Sequence, residues 1–219
     1  MSLKEHTVKS YDKDLQSIAG TLSDMSYLVL ISIDMVAEMI TNNPENYLEK
    51  INAHDYKINS LDFLIERKIT TMLALRQPMA VDLRYIVSAL KVSSNLERVG
   101  DQAKSIIKKI DRIGAKEFDL NVKKSLLEMV NLSKDMVQAS VEAFNDQDSD
   151  KADAVLEQDD KIDAIYSGLF RILEGESFTK QQTEKIINIL FIAKSFERLA
   201  DHSTNIAEIT KYVVSGETK

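Results

Sequence analysis

The sequence predicts an all-α protein built as two tandem three-helix bundles, and three observations carry that prediction. Only two prolines and six glycines occur in 219 residues, far less punctuation than a turn-rich β fold needs. Apolar residues recur with gaps alternating three and four along most of the chain, which is the spacing of a helical seam. The second half repeats the seams of the first together with an embedded motif, the mark of a duplicated unit.

The predicted helices follow in order. The first carries Tyr11, Leu15, Ile18, Leu22, Met25, Val29, Ser32, Val36 and Met39, and it stops before Pro44, which follows Thr41-Asn42-Asn43. The second carries Ile51, Ile58, Leu61, Ile65 and Met72 and ends at Arg76-Gln77-Pro78. The third carries Ala89, Val92, Leu96, Val99, Ala103, Ile106, Ile110 and Ile113 and closes at Gly114, a residue suited to a helix C-terminus. At about 35 residues this helix is about 50 Å long.

The second half follows the same plan. A helix over 118–144 gives way to the polar stretch 145–149. The next carries Val155, Ile162, Ile165, Leu169 and Ile172 and stops near Gly175. The last carries Ile189, Ile192, Phe196, Leu199, Ile206 and Val213, with Gly216 beyond it. A shift of 100 lays Ile86, Leu90, Glu97, Arg98, Asp101 and Ile106 on Ile186, Leu190, Glu197, Arg198, Asp201 and Ile206. A shift of 104 lays Glu38, Asp55 and Ile58 on Glu142, Asp159 and Ile162. The units are 1–114 and 115–219. Such lengths and short connections suit antiparallel bundles.

Composition removes several function classes. With no cysteine, disulfides, thiolate zinc sites and cysteine nucleophiles are absent, which fits a reducing compartment. The net charge of -7, from 35 acidic and 28 basic residues, offers no basic stripe for nucleic acid and favours cations or partners with basic patches. The N-terminus lacks an apolar h-region, so no signal peptide is expected. The apolar segment 27–33 is too short to span a bilayer, and a soluble, cytoplasmic protein is expected. No Gly-rich phosphate loop or Gly-x-Ser-x-Gly elbow occurs. The eight methionines fall largely on the seams as core filler.

The acidic pairs carry the candidate chemistry. Glu97 and Asp101 are four apart and project from one helix face, away from the Leu96/Val99 seam. Like charges so placed destabilise an isolated helix by about 0.2–0.5 kcal/mol. Glu197 and Asp201 repeat the arrangement, and Asp159 and Asp163 form another such pair whose first-half counterpart is Asp55 and Asn59. Antiparallel neighbours would bring Asp159 and Asp163 beside Glu197 and Asp201. A multivalent cation would offset the repulsion, and all-oxygen ligands favour Mg²⁺, Ca²⁺, Mn²⁺ or iron over zinc. Solvated helix faces also carry such pairs, and Arg98 and Arg198 offer neutralisation without metal, so spacing alone leaves both readings standing. None of the three histidines, His6, His54 and His202, lies three residues after a glutamate, which disfavours a ferritin-type di-iron enzyme. His202, beside Asp201, reads as a surface residue rather than a ligand.

Arg76-Gln77-Pro78-Met79-Ala80-Val81-Asp82-Leu83-Arg84, at the second junction, is similar to the PhoU-family pattern Arg-Gln-Pro-x-Ala-x-Asp-Leu-Arg. Leu96-Glu97-Arg98-Val99-Gly100-Asp101 resembles that family's Leu-Glu-Arg-Ile-Gly-Asp signature. Phe196-Glu197-Arg198-Leu199-Ala200-Asp201-His202, Asn205-Ile206-Ala207-Glu208 and Tyr212-Val213-Val214-Ser215-Gly216 follow in the family's order.

The resemblance implies two three-helix bundles with one Glu/Asp-x-x-x-Asp metal site in each repeat. Asp159, Asp163, Glu197 and Asp201 fill the second. Asp55, Glu97 and Asp101 fill most of the first, where Asn59 departs from the pattern, and the second site is therefore expected to bind iron, Mn or Mg more strongly. The resemblance further implies a regulator rather than an enzyme, acting on the phosphate ABC transporter, through its ATPase subunit, and on a sensor histidine kinase to restrain phosphate uptake and starvation signalling. Broad helical faces point to a homo-oligomer. Two other classes stay open at this point: a carboxylate-bridged metalloenzyme and a metal-free helical adaptor.

Overall fold

The computed structural model describes residues 3–76, 78–173 and 179–217. Gln77 of the junction motif, the expected stop at Gly175, and Met1 and Ser2 lie outside the described residues, as do the side chains of Tyr11 and Ile172. Among the described residues there are helices and no strands: α1 (Leu3–Thr41), α2 (Tyr47–Leu75), α3 (Ala80–Ile113), a 3₁₀ turn at Ala115–Glu117, α4 (Leu120–Asp146), α5 (Ser149–Leu156), α6 (Asp159–Leu173) and α7 (Lys180–Ser215).

The predicted seams form the core. Ile18, Leu22, Met25, Val29, Val36 and Met39 of α1 are buried, as are Ile51, Ile58, Ile65 and Met72 of α2. So are the α3 seam from Ala89 to Ile110 and the α7 seam from Ile189 to Val213. Ser32, the polar member of the first seam, is buried and donates to the Leu28 carbonyl at 2.9 Å, so its hydroxyl is satisfied inside the core. Gly114 and Gly216 close α3 and α7 with positive φ and backbone N–H bonds back to Ile110 and Tyr212. Asp119 caps α4 through the Val122 N–H, and Thr179 with Gln182 forms a capping box on α7.

Two features differ from expectation. The fifth rod is divided: α5 ends at Leu156, Glu157 and Gln158 form a turn, and α6 resumes at Asp159. The hydrogen bonds Glu157 N–H to Asp153 O, Gln158 N–H to Val155 O and Lys161 N–H to Gln158 O tighten the chain through the hitch, so six rods are retained with one bent. The apolar part of α1 is also longer than 27–33. Its Asp12–Thr41 stretch is long and apolar enough by length and composition to cross a membrane, with half of the most apolar window buried in the bundle.

Side-chain contacts fix the topology. Lys68 of α2 reaches Ser17 and Thr21 of α1, while Tyr47 of α2 reaches Glu38. Sequence position therefore rises along one helix as it falls along the other. The α2/α3 pair is antiparallel by the same test, with Lys104 on Asp55 and Ser93 on Asp62. The halves meet through equivalent helices. Lys134 of α4 holds Asp34 of α1, and Asn145 reaches Ser23. Asn95 of α3 meets His202 and Asn205 of α7, and Lys109 of α3 meets Ser195 of α7. Positions near 95 and 205, and near 105 and 195, exchange places across the α3/α7 pair, as an approximate two-fold axis requires. One continuous apolar core runs through both halves.

Candidate functional site

Each half gathers carboxylates where its middle rod crosses its third rod. In the second half, Asp159 stands at the start of α6, immediately after the hitch, and Asp163 follows one turn on. Glu197 and Asp201 face them from α7. Asp159 is pushed above the ordinary carboxylate range, first by partial burial and then by repulsion from Asp163, Asp201, Asp160 and Glu197. Asp163 is raised too, by lost hydration first and then by Glu197 and Asp201. The α6 pair of Asp159 and Asp163 thus feels the charge of Glu197 and Asp201 across the crossing, without the four converging on one point. Its position at a helix start recovers part of the repulsion, because the N-terminal dipole end favours negative charge.

One cation already sits in this group. Lys194 Nζ lies 2.5 Å from both carboxylate oxygens of Glu197 and 5.7 Å from the centroid of the Tyr166 ring on α6. The hydrogen bond to Glu197 is the main cause of a raised lysine pKa.

The first half differs in its partners. Glu97 is raised by burial, then by Asp101, Asp62 and Asp55, against the lowering effect of Arg98. Glu97 thus feels the carboxylates of α2, while Asp101 keeps 39% of its side chain exposed. Asp55 is taken by Lys104 of α3 at 2.5 Å. Arg98 stands 3.4 Å from Glu97 and 3.7 Å from Asp101. Asp62 accepts from the buried Ser93 hydroxyl at 2.5 Å.

Three participants escaped the sequence reading: Asp62, Lys104 and Lys194. Asp62 lies seven residues after Asp55 on the same face of α2, a spacing that marks it in retrospect. The lysines carry no such mark, because which carboxylate each one reaches depends on the neighbouring helix. Shifted by 100, Lys104 falls on Thr204 and Lys194 on Ser94, so the halves place their lysines differently.

The other candidates move away from the site. His202 is half-buried at the α3/α7 seam rather than on the surface, with Nδ1 at 3.0 Å from Asn95 Oδ1, and burial lowers its pKa. Arg198 lies beside Lys109, whose pKa falls through burial first and then through this like charge.

Among the described residues, no three acidic or histidine side chains converge as a ready-made ion cage. The donor chemistry nonetheless suits a hard cation. The α6 and α7 carboxylates supply oxygens only, repulsion raises both Asp159 and Asp163 with Lys194 offsetting part of it at Asp163, and that ammonium group has been drawn onto Glu197. Asp159, Asp163, Glu197 and Asp201 are the residues that would hold such an ion, and its contribution would be charge neutralisation and cross-linking of α6 to α7.

Known proteins match the chain along nearly its full length. The family model for the PhoU domain matches residues 22–110 and again 126–210. The phosphate-specific transport system accessory protein PhoU homologue of Caulobacter vibrioides is 33% identical over 216 residues, covering 98% of this chain and 94% of the relative. That of Clostridium acetobutylicum is 33% identical over 214 residues, covering 96% and 97%. Among solved structures, PhoU from Pseudomonas aeruginosa superposes with a TM-score of 0.86 at 26% identity, covering 94% of this chain and 100% of that one. The phosphate transport system regulatory protein PhoU from Streptococcus pneumoniae gives 0.84 at 25% identity, covering 94% and 98%. Matched once in each half and along nearly its full length, the chain belongs to the PhoU family of phosphate-transport accessory proteins.

Proposed function

We propose that this protein is a cytoplasmic, non-enzymatic regulator of the phosphate ABC transporter that also restrains phosphate-starvation signalling through a sensor histidine kinase. It docks on the transporter's ATPase subunit and on the kinase through its long helical faces, working as a homo-oligomer. Multivalent ions (iron, Mn or Mg) bound at Asp159, Asp163, Glu197 and Asp201, and at Asp55, Glu97 and Asp101, set the charge and stiffness of those faces. Preferential binding to one state of the transporter or kinase then shifts that state's population.

The observation that carries this reading is the paired placement of carboxylate groups at equivalent helix crossings of a PhoU-family chain. The family resemblance supplies the transporter, and the repulsion that raises Asp159 and Asp163 supports the cation. Crosslinking and affinity purification from phosphate-replete cells tests it. The transporter ATPase or a sensor kinase is expected in the recovered complex, and recovery of neither under replete or starved conditions overturns the docking role.

A second reading draws on Arg98, Lys104 and Lys194, which already stand on the carboxylates. Here the same surfaces serve a metal-free adaptor. Metal analysis of the purified protein separates the two.

A further inference from the structure

We propose that Lys194 is an internal counter-ion of the second carboxylate cluster, which a multivalent cation must displace from Glu197, so that this lysine sets how readily the cluster takes up an ion. The inference rests on the cation-binding reading above and names the residue that regulates it.

The geometry goes beyond an ordinary surface pair. An i,i+3 ion pair on an exposed helix touches loosely and contributes little. Lys194, its side chain itself 43% exposed, nonetheless places Nζ at 2.5 Å from both oxygens of a half-buried Glu197. Its ammonium also approaches the Tyr166 ring on the opposing helix, so the lysine leans across the α6/α7 crossing, where its charge also reaches Asp163. Both Glu197 oxygens are thereby engaged. A hard cation needs several oxygens at once, and it gains Glu197 only after the ammonium leaves.

Competition of this kind scales the apparent affinity by the fraction of time the carboxylate is free of the lysine. The ammonium carries one charge and a divalent ion carries two, so the exchange favours the ion once its concentration is sufficient. Below that concentration Lys194 keeps α6 and α7 neutralised in part and the cluster closed.

The first half lacks this device at the same place, since the equivalent position is Ser94. Its lysine, Lys104, approaches from the far side of the signature and holds Asp55 on the opposite helix. The two clusters are therefore held by different lysines on different ligands, and they release at different ion concentrations.

The test uses the full chain and Mn²⁺ alone, followed by calorimetry and by the EPR signal of free Mn²⁺. Lys194→Met keeps the aliphatic stem beside Tyr166 and removes the charge. It is expected to bind Mn²⁺ about tenfold more tightly at the second cluster than the wild type. Lys194→Arg, which keeps the charge, is expected to stay at the wild-type affinity, and Lys108→Met, an exposed lysine of α3, controls for net charge. If wild type binds Mn²⁺ and Lys194→Met binds it no better than Lys108→Met, the counter-ion role is overturned while the cation site stands. If none of these proteins takes up Mn²⁺ at millimolar concentration, the cation-binding reading itself fails, and this inference with it.

Discussion

Gly100 of α3 comes so close to Ile58 of α2 that a β-carbon at Gly100 would stand 3.0 Å from Ile58 Cδ1 and 3.5 Å from its Cγ2. The missing side chain lets the two rods approach at the level where Glu97 and Asp101 face Asp55. In the second half the corresponding residues are Ala200 and Ile162, and both are fully buried. The same crossing therefore tolerates a methyl group when its surroundings are arranged for it.

This contact predicts a measurable coupling. Ile58→Val alone should cost about 1 kcal/mol, as buried Ile→Val changes do. Gly100→Ala gains about 1 kcal/mol of helix propensity but presses on the Ile58 Cδ1 atom. In the double variant the crowded methyl is gone, and the Ile58→Val cost should fall close to zero. Denaturant unfolding of the four proteins measures the cycle, and additive costs would rule out the close contact as its cause.

Asp163→Asn should weaken Mn²⁺ uptake more than Asp55→Asn. The second cluster offers four carboxylates against one lysine, whereas the first has Asn59 in place of a carboxylate and carries both Arg98 and Lys104. Without metal the order of benefit reverses. Removing the Asp163 charge relieves repulsion from Glu197 and Asp201. With chelator present, Asp163→Asn should raise stability by about 0.5 kcal/mol after solvent screening, or roughly 1–2 °C in Tm for a chain of this size. Calorimetric titration and thermal melts in EDTA read the two effects separately.

Tyr85 of α3 and Phe144 of α4 stack across the two halves, with ring centroids 5.1 Å apart and 14° between planes. Lys134 and Asp34 also link the halves, but both are substantially exposed. Phe144→Ala should cost about 3–5 kcal/mol, and Lys134→Ala less than about 0.5 kcal/mol. Chemical denaturation of both variants compares them. Equal losses would mean that ion pairing, not apolar burial, joins the repeats.

Lys109 gives a pH-dependent prediction. Its pKa is depressed by burial between α3 and α7 and then by Arg198, while its ammonium donates to Ser105 and Ser195. The folded chain therefore sheds this proton at lower pH than the unfolded chain does. The contribution is unfavourable near neutral pH and improves as pH rises toward the ordinary lysine range. Lys109→Met should melt a few degrees higher than wild type at pH 7, and the gap should narrow by pH 9.5. A gap that is constant or widens would show that the charge carries no penalty.

Much of the fold was legible because helical burial is periodic. Nearly every seam residue from Ile18 to Val213 with a described side chain is buried or packed on the core, and Gly114 terminates α3 where its backbone freedom is needed. The hitch at Glu157–Gln158 was not legible, since neither residue is a helix breaker and the seam runs on from Val155 to Ile162 in step. The carboxylate pairs were legible from spacing within one helix. The lysines that meet them were not, because Lys104 reaches Asp55 across 49 positions and nothing within α3 selects that partner over Asp101.

The exchange of equivalent positions across α3 and α7 has a consequence for how such a molecule can be tuned. In a dimer of identical half-length chains, any substitution would appear at both crossings and shift them together. Joining the copies in one polypeptide breaks that obligation. Serine can stand at position 94 while lysine stands at 194, and threonine at 204 while lysine stands at 104, so under the cation-binding proposal a single gene product would respond in two graded steps where its symmetric counterpart would have only one threshold.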